Sequence, residues 1–245
     1  MRHISLIILM AMLLPMAGHS QDESKGSWGV SADLVSRYVW RGLEFGNSPA
    51  VQPGIEYSRG MITAGCWGSY ATNGANYQEA DLYVTLTPVE AFSITFTDYF
   101  FPDHSLGTNH YFNYDGDRTG HVMEGAITFN GTEKLPLRVM AAVNFYGADA
   151  RKANGDLMYS TYAELGYSTE ISSTSCDLFL GFSPNKADTD KGETGFYGDK
   201  PGIINLGITG HRDIRVSESF TLPVFTSLIV NPQAENIFLV FGLSI

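Results

Sequence analysis

Apolar and polar residues alternate with period two through most of this 245-residue chain. From Trp28 to Arg41, the residues Val30, Ala32, Leu34, Tyr38 and Trp40 share one parity, and Ser31, Asp33, Arg37 and Arg41 share the other. Successive side chains of a strand point to opposite faces, so this pattern predicts one strand over about 28–41 with an apolar and a charged face. Further segments repeat it at 50–58, 61–70, 77–88, 92–101, 121–129, 135–146, 157–169, 176–183, 202–212, 220–230 and 237–245. In 77–88, Ala80, Leu82, Val84 and Leu86 alternate with Glu79, Asp81, Tyr83 and Thr85. In 237–245, Ile237, Leu239, Phe241, Leu243 and Ile245 keep strict period two. The segment 61–70 is rich in small residues, and its facing stays ambiguous.

The connections have a rhythm. Those at 42–49, 71–76, 102–120, 147–156, 184–201 and 231–236 tend to be long; those at 59–60, 89–91, 130–134, 170–175 and 213–219 tend to be short. Long external loops alternating with short periplasmic turns, around an even number of strands of about 9–11 residues, describe an outer-membrane barrel. The expected fold is therefore all-β: an antiparallel outer-membrane β-barrel of about twelve strands, an up-and-down meander with both termini periplasmic. Closure satisfies every backbone group in lipid, which an open sheet cannot do. Tyr38, Trp40, Tyr57, Trp67, Tyr99, Phe100, Phe101, Phe145, Tyr146, Tyr159 and Phe220 fall near strand ends, where interfacial girdles would use them.

Composition adds the compartment. Arg2 followed by the apolar run Ile4 to Ala17, with small residues before Gln21, reads as a signal peptide over 1–20. Residues 21–27 are a polar lead-in and 28–245 the transmembrane barrel domain. The net charge of −11 becomes one unit more negative once Arg2 is removed, which argues against nucleic acid as a partner. Cys66 and Cys176 could pair in an exported protein, but they read better as small unpaired hydrophobes on strands far apart in strand order.

Several motifs resemble a known family. Ser36-Arg-Tyr-Val-Trp-Arg-Gly42, Asn47-Ser-Pro-Ala-Val-Gln-Pro-Gly54, Gly65-Cys-Trp-Gly-Ser69 and Glu79-Ala-Asp-Leu-Tyr83 are similar to those of the TorF-type porin family, also labelled by its Gly-Cys-Trp motif. The resemblance covers the N-terminal third closely and the rest by strand rhythm. It implies an exported outer-membrane barrel of largely uncharacterised transport role, and it transfers no catalytic or ligand residue. The chain ends in Ile245 where many outer-membrane barrels end in an aromatic residue, a departure that bears on recognition by the barrel-assembly machinery rather than on the barrel.

The charged parity carries the candidate chemistry. Asp33, Arg37, Arg41, Gln52, Glu56, Glu79, Asp81 and Tyr83 would line a pore, with Arg37 and Arg41 looking toward Glu56, Glu79 and Asp81. Such charges either set ion selectivity or satisfy one another and close the lumen. Twelve strands lie between the filled eight-stranded barrel and the open sixteen-stranded porin, so a narrow pore is expected. No metal site is expected: Asp188-Thr-Asp190-Lys-Gly192 and Asp115-Gly-Asp117 lack the remaining positions of a calcium loop, and His104, His110, His121 and His211 lack ligand spacing. No catalytic residue or cofactor is expected either. His121 with Asp117 is a conceivable pair, but no Ser-containing nucleophile elbow accompanies it. The expected partners are outer-membrane lipid, the barrel-assembly machinery and small solutes or ions. The reading is a porin or narrow channel. Two alternatives stand: a non-conducting barrel that binds a ligand or partner through its long loops, and a soluble lipocalin-type carrier, which would reverse the facing.

Overall fold

The alternation closes into a barrel. A computed structural model describes residues 25–74, 78–102 and 110–245; the expected signal peptide, the lead-in before Lys25 and His104 lie outside them. The chain runs through β1 (Ser27–Val35), β2 (Tyr38–Trp40), β3 (Leu43–Gly46), β4 (Ala50–Arg59), β5 (Ile62–Ala71), β6 (Gln78–Val89), β7 (Phe92–Phe100) and β8 (His121–Phe129). It continues through β9 (Leu137–Gly147), β10 (Thr161–Ile171), β11 (Thr174–Ser183), β12 (Gly202–Arg215), β13 (Thr221–Asn231) and β14 (Asn236–Ser244). Twelve of these, β1 and β4 to β14, form one closed antiparallel barrel in which each strand pairs with its neighbours in sequence and β14 returns to β1. The strands β2 and β3 form a separate two-stranded sheet.

Facing follows the parity read from the sequence. On β6, Leu82 is 48% exposed on the outer surface while Asp81 is 6% exposed inside. Val84, Leu86, Phe96, Ile127, Val139, Leu165, Leu178, Leu206, Leu228 and Leu239 continue the outer apolar belt, and Thr85, Thr95, Glu124, Asn144, Glu164, Thr209 and Ser227 are buried on the inner wall. A lipocalin-type carrier requires the opposite arrangement, so this alternative is overturned. On β5, Trp67 and Ser69 share the inward parity with Gly65, which settles the one ambiguous strand. Exposed aromatics mark both rims: Trp28, Phe92 and Phe220 at the short-turn end, Tyr70, Phe145 and Tyr159 at the long-loop end.

Several strands carry glycine on the inner face because a ring from the neighbouring strand lies across it. A Cβ on Gly65 would meet the Tyr83 ring, on Gly181 the Tyr162 ring, on Gly242 the Phe225 ring, all within 2.7 Å. Strand glycines are otherwise destabilising, and a cross-strand aromatic covers the backbone they leave bare.

Three expectations need correction. The first strand does not run to Arg41: the wall strand ends at Val35, and a bend at Ser36 and Arg37 turns the chain inward. The expected loop 42–49 contains β3. The pairing Tyr38↔Gly46 and Trp40↔Leu43 makes residues 38–46 a hairpin inside the barrel. Its two turn residues, Arg41 and Gly42, both have positive φ, 50° and 76°, as a tight hairpin turn requires. Period-two alternation persists through the bend, so parity alone cannot show where the strand leaves the wall. Consequently Tyr38 and Trp40, expected in an outer girdle, are buried in the lumen, as is Tyr99, while Phe100, on the opposite face of β7, is buried against Tyr111 and His121.

The fit at the inner glycines is unequal, and that yields a test. A Cβ on Gly207 would sit 2.3 Å from the Leu228 carbonyl oxygen and 2.4 Å from the Phe179 ring, whereas one on Gly166 meets only the Arg138 side chain at 3.5 Å. We expect Gly207→Ala to destabilise the barrel by about 2–4 kcal/mol and Gly166→Ala by under about 1 kcal/mol. The midpoint of the unfolding transition in urea, read as the folded-to-unfolded band shift on gels, measures both.

Candidate functional site: the plugged lumen

The inward hairpin brings a charge to the middle of the barrel. Arg41 at its tip is 1% exposed. The tip is pinned against the far wall: the Asn231 side-chain amide donates to the Gly42 carbonyl oxygen at 3.1 Å, and a Cβ on Gly42 would lie 1.9 Å from the Ile204 carbonyl oxygen. Only glycine fits there, for its φ and for the approach.

The Arg41 guanidinium meets Glu124 of β8 with both terminal nitrogens, Nη2 donating to Oε1 at 2.9 Å and Nη1 to Oε2. The Tyr99 hydroxyl donates to the same Oε1 at 3.0 Å, and Nη1 also donates to the Tyr197 hydroxyl oxygen. Rings flank the cation: Trp40 at 4.4 Å and Tyr162 at 4.5 Å from its carbon to the ring centres. A bidentate pair removed from water between aromatic faces combines charge-assisted hydrogen bonds with cation–π attraction. Next to it, the Tyr162 hydroxyl donates to Glu164 Oε2 at 2.5 Å, Asn205 donates to that hydroxyl at 2.9 Å, and Arg138 pairs with the other oxygen of Glu164.

The loop after β11 completes the plug. Residues 184–201, expected as a polar external loop, send Phe196 and Tyr197 into the lumen. Together with Tyr38, Trp40, Tyr99, Val122, Met140, Tyr162 and Ile204 they form the aromatic core of the molecule. Outside the barrel the same loop is latched: the Glu193 carboxylate accepts from the Ala153 and Asp188 backbone N–H groups, each at 2.8 Å, and Lys191 donates to Asp188 at 2.6 Å. The Ala153 N–H first, then that of Asp188, holds Glu193 below the usual carboxylate range; the Lys191 hydrogen bond does the same for Asp188.

Of the expected pore-lining residues, Asp33, Gln52, Glu79 and Asp81 are buried on the inner wall, and Glu56 accepts from the Tyr83 hydroxyl at 3.0 Å lower in the lumen. The expected meeting of Arg37 and Arg41 with Glu56, Glu79 and Asp81 does not occur. Arg37 stays near the surface and pairs with Glu44 within the hairpin at 2.8 Å, and Arg41 is carried past the β4–β6 wall to Glu124. His121 does not pair with Asp117 either: it bonds Asp98 at 2.7 Å and the Tyr111 carbonyl at 2.6 Å, while Asp117 faces Arg151. Cys66 and Cys176 are both free thiols. Sequence reasoning missed Glu124, Glu164, Arg138 and Tyr197. The first three are charged residues on the inward parity of β8, β9 and β10, the same signal that singled out Asp33; Tyr197 carried no such signal.

The fold and this site define a class: a closed antiparallel barrel with a polar inner wall, stoppered from within by its own hairpin and loop. Within that class the chain belongs to the family described as "Bacterial protein of unknown function (Gcw_chp)", which matches residues 21–191. The Gly-Cys-Trp segment, Gly65-Cys66-Trp67, has a structural reading: Gly65 underlies the Tyr83 ring, and the Trp67 ring packs 5.6 Å from Tyr38 of the hairpin. No curated protein matches the chain.

Two expected outcomes follow from this geometry. Arg41→Ala leaves a buried carboxylate without its cation and is expected to cost about 3–5 kcal/mol, whereas the double variant Arg41→Met, Glu124→Met recovers most of the loss; urea midpoints compare them. The Asp188 and Glu193 latch is strong above the ordinary carboxylate values of 3.8 and 4.5 and weakens as pH falls through the lower values of the folded loop. Protection of the backbone amides over 184–201, taken as exchange relative to the intrinsic rate at each pH, is therefore expected to be high at pH 7 and clearly lower near pH 3, and Glu193→Gln to lower it at pH 7.

Proposed function

We propose that this protein is a bacterial outer-membrane barrel, exported through a cleaved signal peptide, whose narrow channel is closed at rest by the 38–46 hairpin and passes small polar solutes or ions when the hairpin moves. The observation that carries this reading is the pairing of an apolar outer belt with a polar inner wall, interrupted by a plug made of a separate sheet rather than of wall side chains. Outward Leu82, Val84 and Leu86 suit hydrocarbon, and the rim aromatics suit its two interfaces. Below the plug the inner face is lined by hydroxyls, with Thr85 bonded to Thr95 at 2.9 Å and Thr209 to Ser227 at 2.5 Å. These pairs are neutral and wettable, and the ionisable groups beside them are partnered, Glu56 by the Tyr83 hydroxyl and Asp177 by His211 at 3.1 Å. The proposal includes no catalysis and no cofactor. Its partners are lipid, the assembly machinery that inserts such barrels, and the solute.

A second reading has its own support. The lumen is filled by an aromatic core at the loop end, and a barrel that never opens would present its loops at the cell surface as a binding platform. Planar-bilayer recording separates the two. The wild-type mature protein is expected to be closed with rare small openings. Replacing residues 37–47 by a short Gly/Ser linker is expected to give steady conductance of at least about tenfold higher open probability, on the premise that the plug holds the closed state by a few kcal/mol. Silence from both proteins across salts and voltages would sink the channel reading and leave the platform.

A further inference from the structure

One stretch of the wall has room for another strand. From Asn236 to Val240, β14 pairs in the sheet with β13 alone, because β1 has already left. Its outward side chains show the gap: Ile237, Leu239 and Phe241 are 64–68% exposed, against 41% for Leu228 on β13, which has a strand on each side. The last rung is half made. The Ser36 N–H donates to the Phe241 carbonyl oxygen at 2.9 Å, as that of a wall strand does, but the Phe241 N–H donates to the Ser36 hydroxyl at 3.1 Å in place of the Ser36 carbonyl. A side chain stands in for backbone where the chain bends away. Beyond that rung a strand edge facing hydrocarbon has no water to turn to.

A strand that fits this edge is present in the chain, in register. Continued past Val35↔Gly242, the antiparallel ladder sets Tyr38 opposite Leu239, Val39 opposite Phe238, Trp40 opposite Ile237 and Arg41 opposite Asn236, the first residue of β14. The free edge and the first arm of the hairpin therefore match in length. Facing agrees too. Tyr38 and Trp40 share the parity of the outward Leu34 and would join the aromatic rim at the long-loop end, while Arg37, Val39 and Arg41 would face the lumen. The hairpin need not be remade. Its Tyr38↔Gly46 pairing follows on from Val35↔Ala50 of the β1–β4 ladder, and only the irregular segments 36–37 and 47–49 separate the two. Val39 already packs against Phe238 and Val240 on the inner side of the edge, so the base of the arm lies beside its place in the wall.

We propose that the hairpin has a second seat: turning as a unit about residues 36–37 and 47–49, it leaves the lumen and adds β2 to the free edge of β14. One movement then opens the interior and completes the wall. In the first seat Arg41 has Glu124 and the aromatic core. In the second, the backbone from Asn236 to Val240 has a partner, and the Tyr38 and Trp40 rings have the membrane interface. The alternation that runs unbroken from Trp28 to Arg41 serves the second seat. This inference rests on the movement of the hairpin in the channel reading, and not on conduction.

Disulfide trapping tests it, in mature protein reconstituted in lipid vesicles, with Cys66→Ala and Cys176→Ala as background and the folded gel band confirmed for every variant. The trap is Tyr38→Cys with Leu239→Cys. In the first seat Tyr38 is inside the wall, packed on Trp67, and Leu239 points outside it, so no disulfide spans the two. Under mild oxidation we expect this disulfide to accumulate slowly, read by mass spectrometry of peptides. Val39→Cys with Phe238→Cys, neighbours in both seats, is expected to close quickly. Adding Ser36→Ala to the trap removes the hydroxyl that receives the Phe241 N–H only in the bent form, and is expected to speed the 38–239 disulfide several-fold. Absence of that disulfide where the 39–238 control closes overturns the proposal. So does an equal yield from Tyr38→Cys with Ile208→Cys, level with Leu239 but two strands away. If the Tyr38 variant does not fold, Trp40→Cys with Ile237→Cys decides by the same criteria. A 38–239 disulfide in a protein that never conducts keeps this inference and sinks the channel; conductance without the disulfide does the reverse.

Discussion

The bidentate contact between Arg41 and Glu124 is the constraint on which the inside of this barrel depends. A guanidinium and a carboxylate taken out of water are costly unless they meet squarely and their remaining polar atoms are bonded. Almost everything near the plug serves that requirement. Tyr99 and Tyr197 occupy further lone pairs and protons of the pair, which leaves the Arg41 Nε–H as its one buried donor without a partner among the described residues. Trp40 and Tyr162 supply ring faces to a cation that has lost its hydration. Asn231 fixes the carbonyl just beyond Arg41, so the tip cannot slide. The pair bridges residues far apart in sequence, and the hairpin turn with positive φ at Arg41 and Gly42 is what lets a strand that began in the wall deliver its arginine across the lumen.

Leaving the wall has a consequence at the seam. Because β1 stops at Val35, its pairing with β14 is short: the mutual backbone bonds of Ala32 and Ile245, then Asp33↔Ser244, Leu34↔Leu243 and Val35↔Gly242, and the Ser36 amide on the Phe241 carbonyl. With β4 it pairs over nine residues. The upper part of β14 therefore lacks a wall partner on that side, and an unpaired edge is a liability in any sheet. The hairpin covers it: Val39 packs with Phe238 and Val240, and Arg37 lies 6.0 Å from the centre of the Phe238 ring. One excursion of the chain thus both fills the lumen and shields the seam it opened, which couples the plug to the integrity of the wall.

The wall was legible in the sequence and the plug was not. Strands such as β8, expected at 121–129 and found at His121–Phe129, carry their facing in the order of residues. Parity also put Asp33, Gln52, Glu79 and Asp81 on the inside correctly, because a local rule decides it. Parity failed where a decision was non-local. Tyr38 and Trp40 have the same alternation whether they face lipid or aromatic neighbours in a lumen, and only the bend at Ser36 and Arg37 tells the two apart. Tyr197 sits in a stretch rich in Gly, Asp and Lys whose composition says loop, and composition holds no information about a loop that doubles back between the walls. Glu124 could have been flagged as a charge on an inward parity, but its partner could not: eighty-three residues separate it from Arg41, and nothing short of the hairpin's path connects them.

An ionic tip is a particular choice for a stopper. Apolar side chains of similar volume would fill the same space, and replacing a buried ion pair by them is often neutral or stabilising. What an arginine adds is direction and reversibility. It accepts only a geometry that satisfies Glu124, so the closed state has one register. Withdrawn into water, it regains hydration, whereas a withdrawn apolar tip would expose bare hydrocarbon and be driven back. The vacated wall is likewise polar, with Glu124, Tyr99 and Asn231 ready to meet water. The charge pair therefore lowers the difference between seated and withdrawn states relative to an apolar plug while keeping the seated one unique. At the tip that balance favours a stopper that can move, while the Tyr38 and Trp40 rings behind it, packed in the aromatic core, oppose withdrawal and hold the hairpin seated.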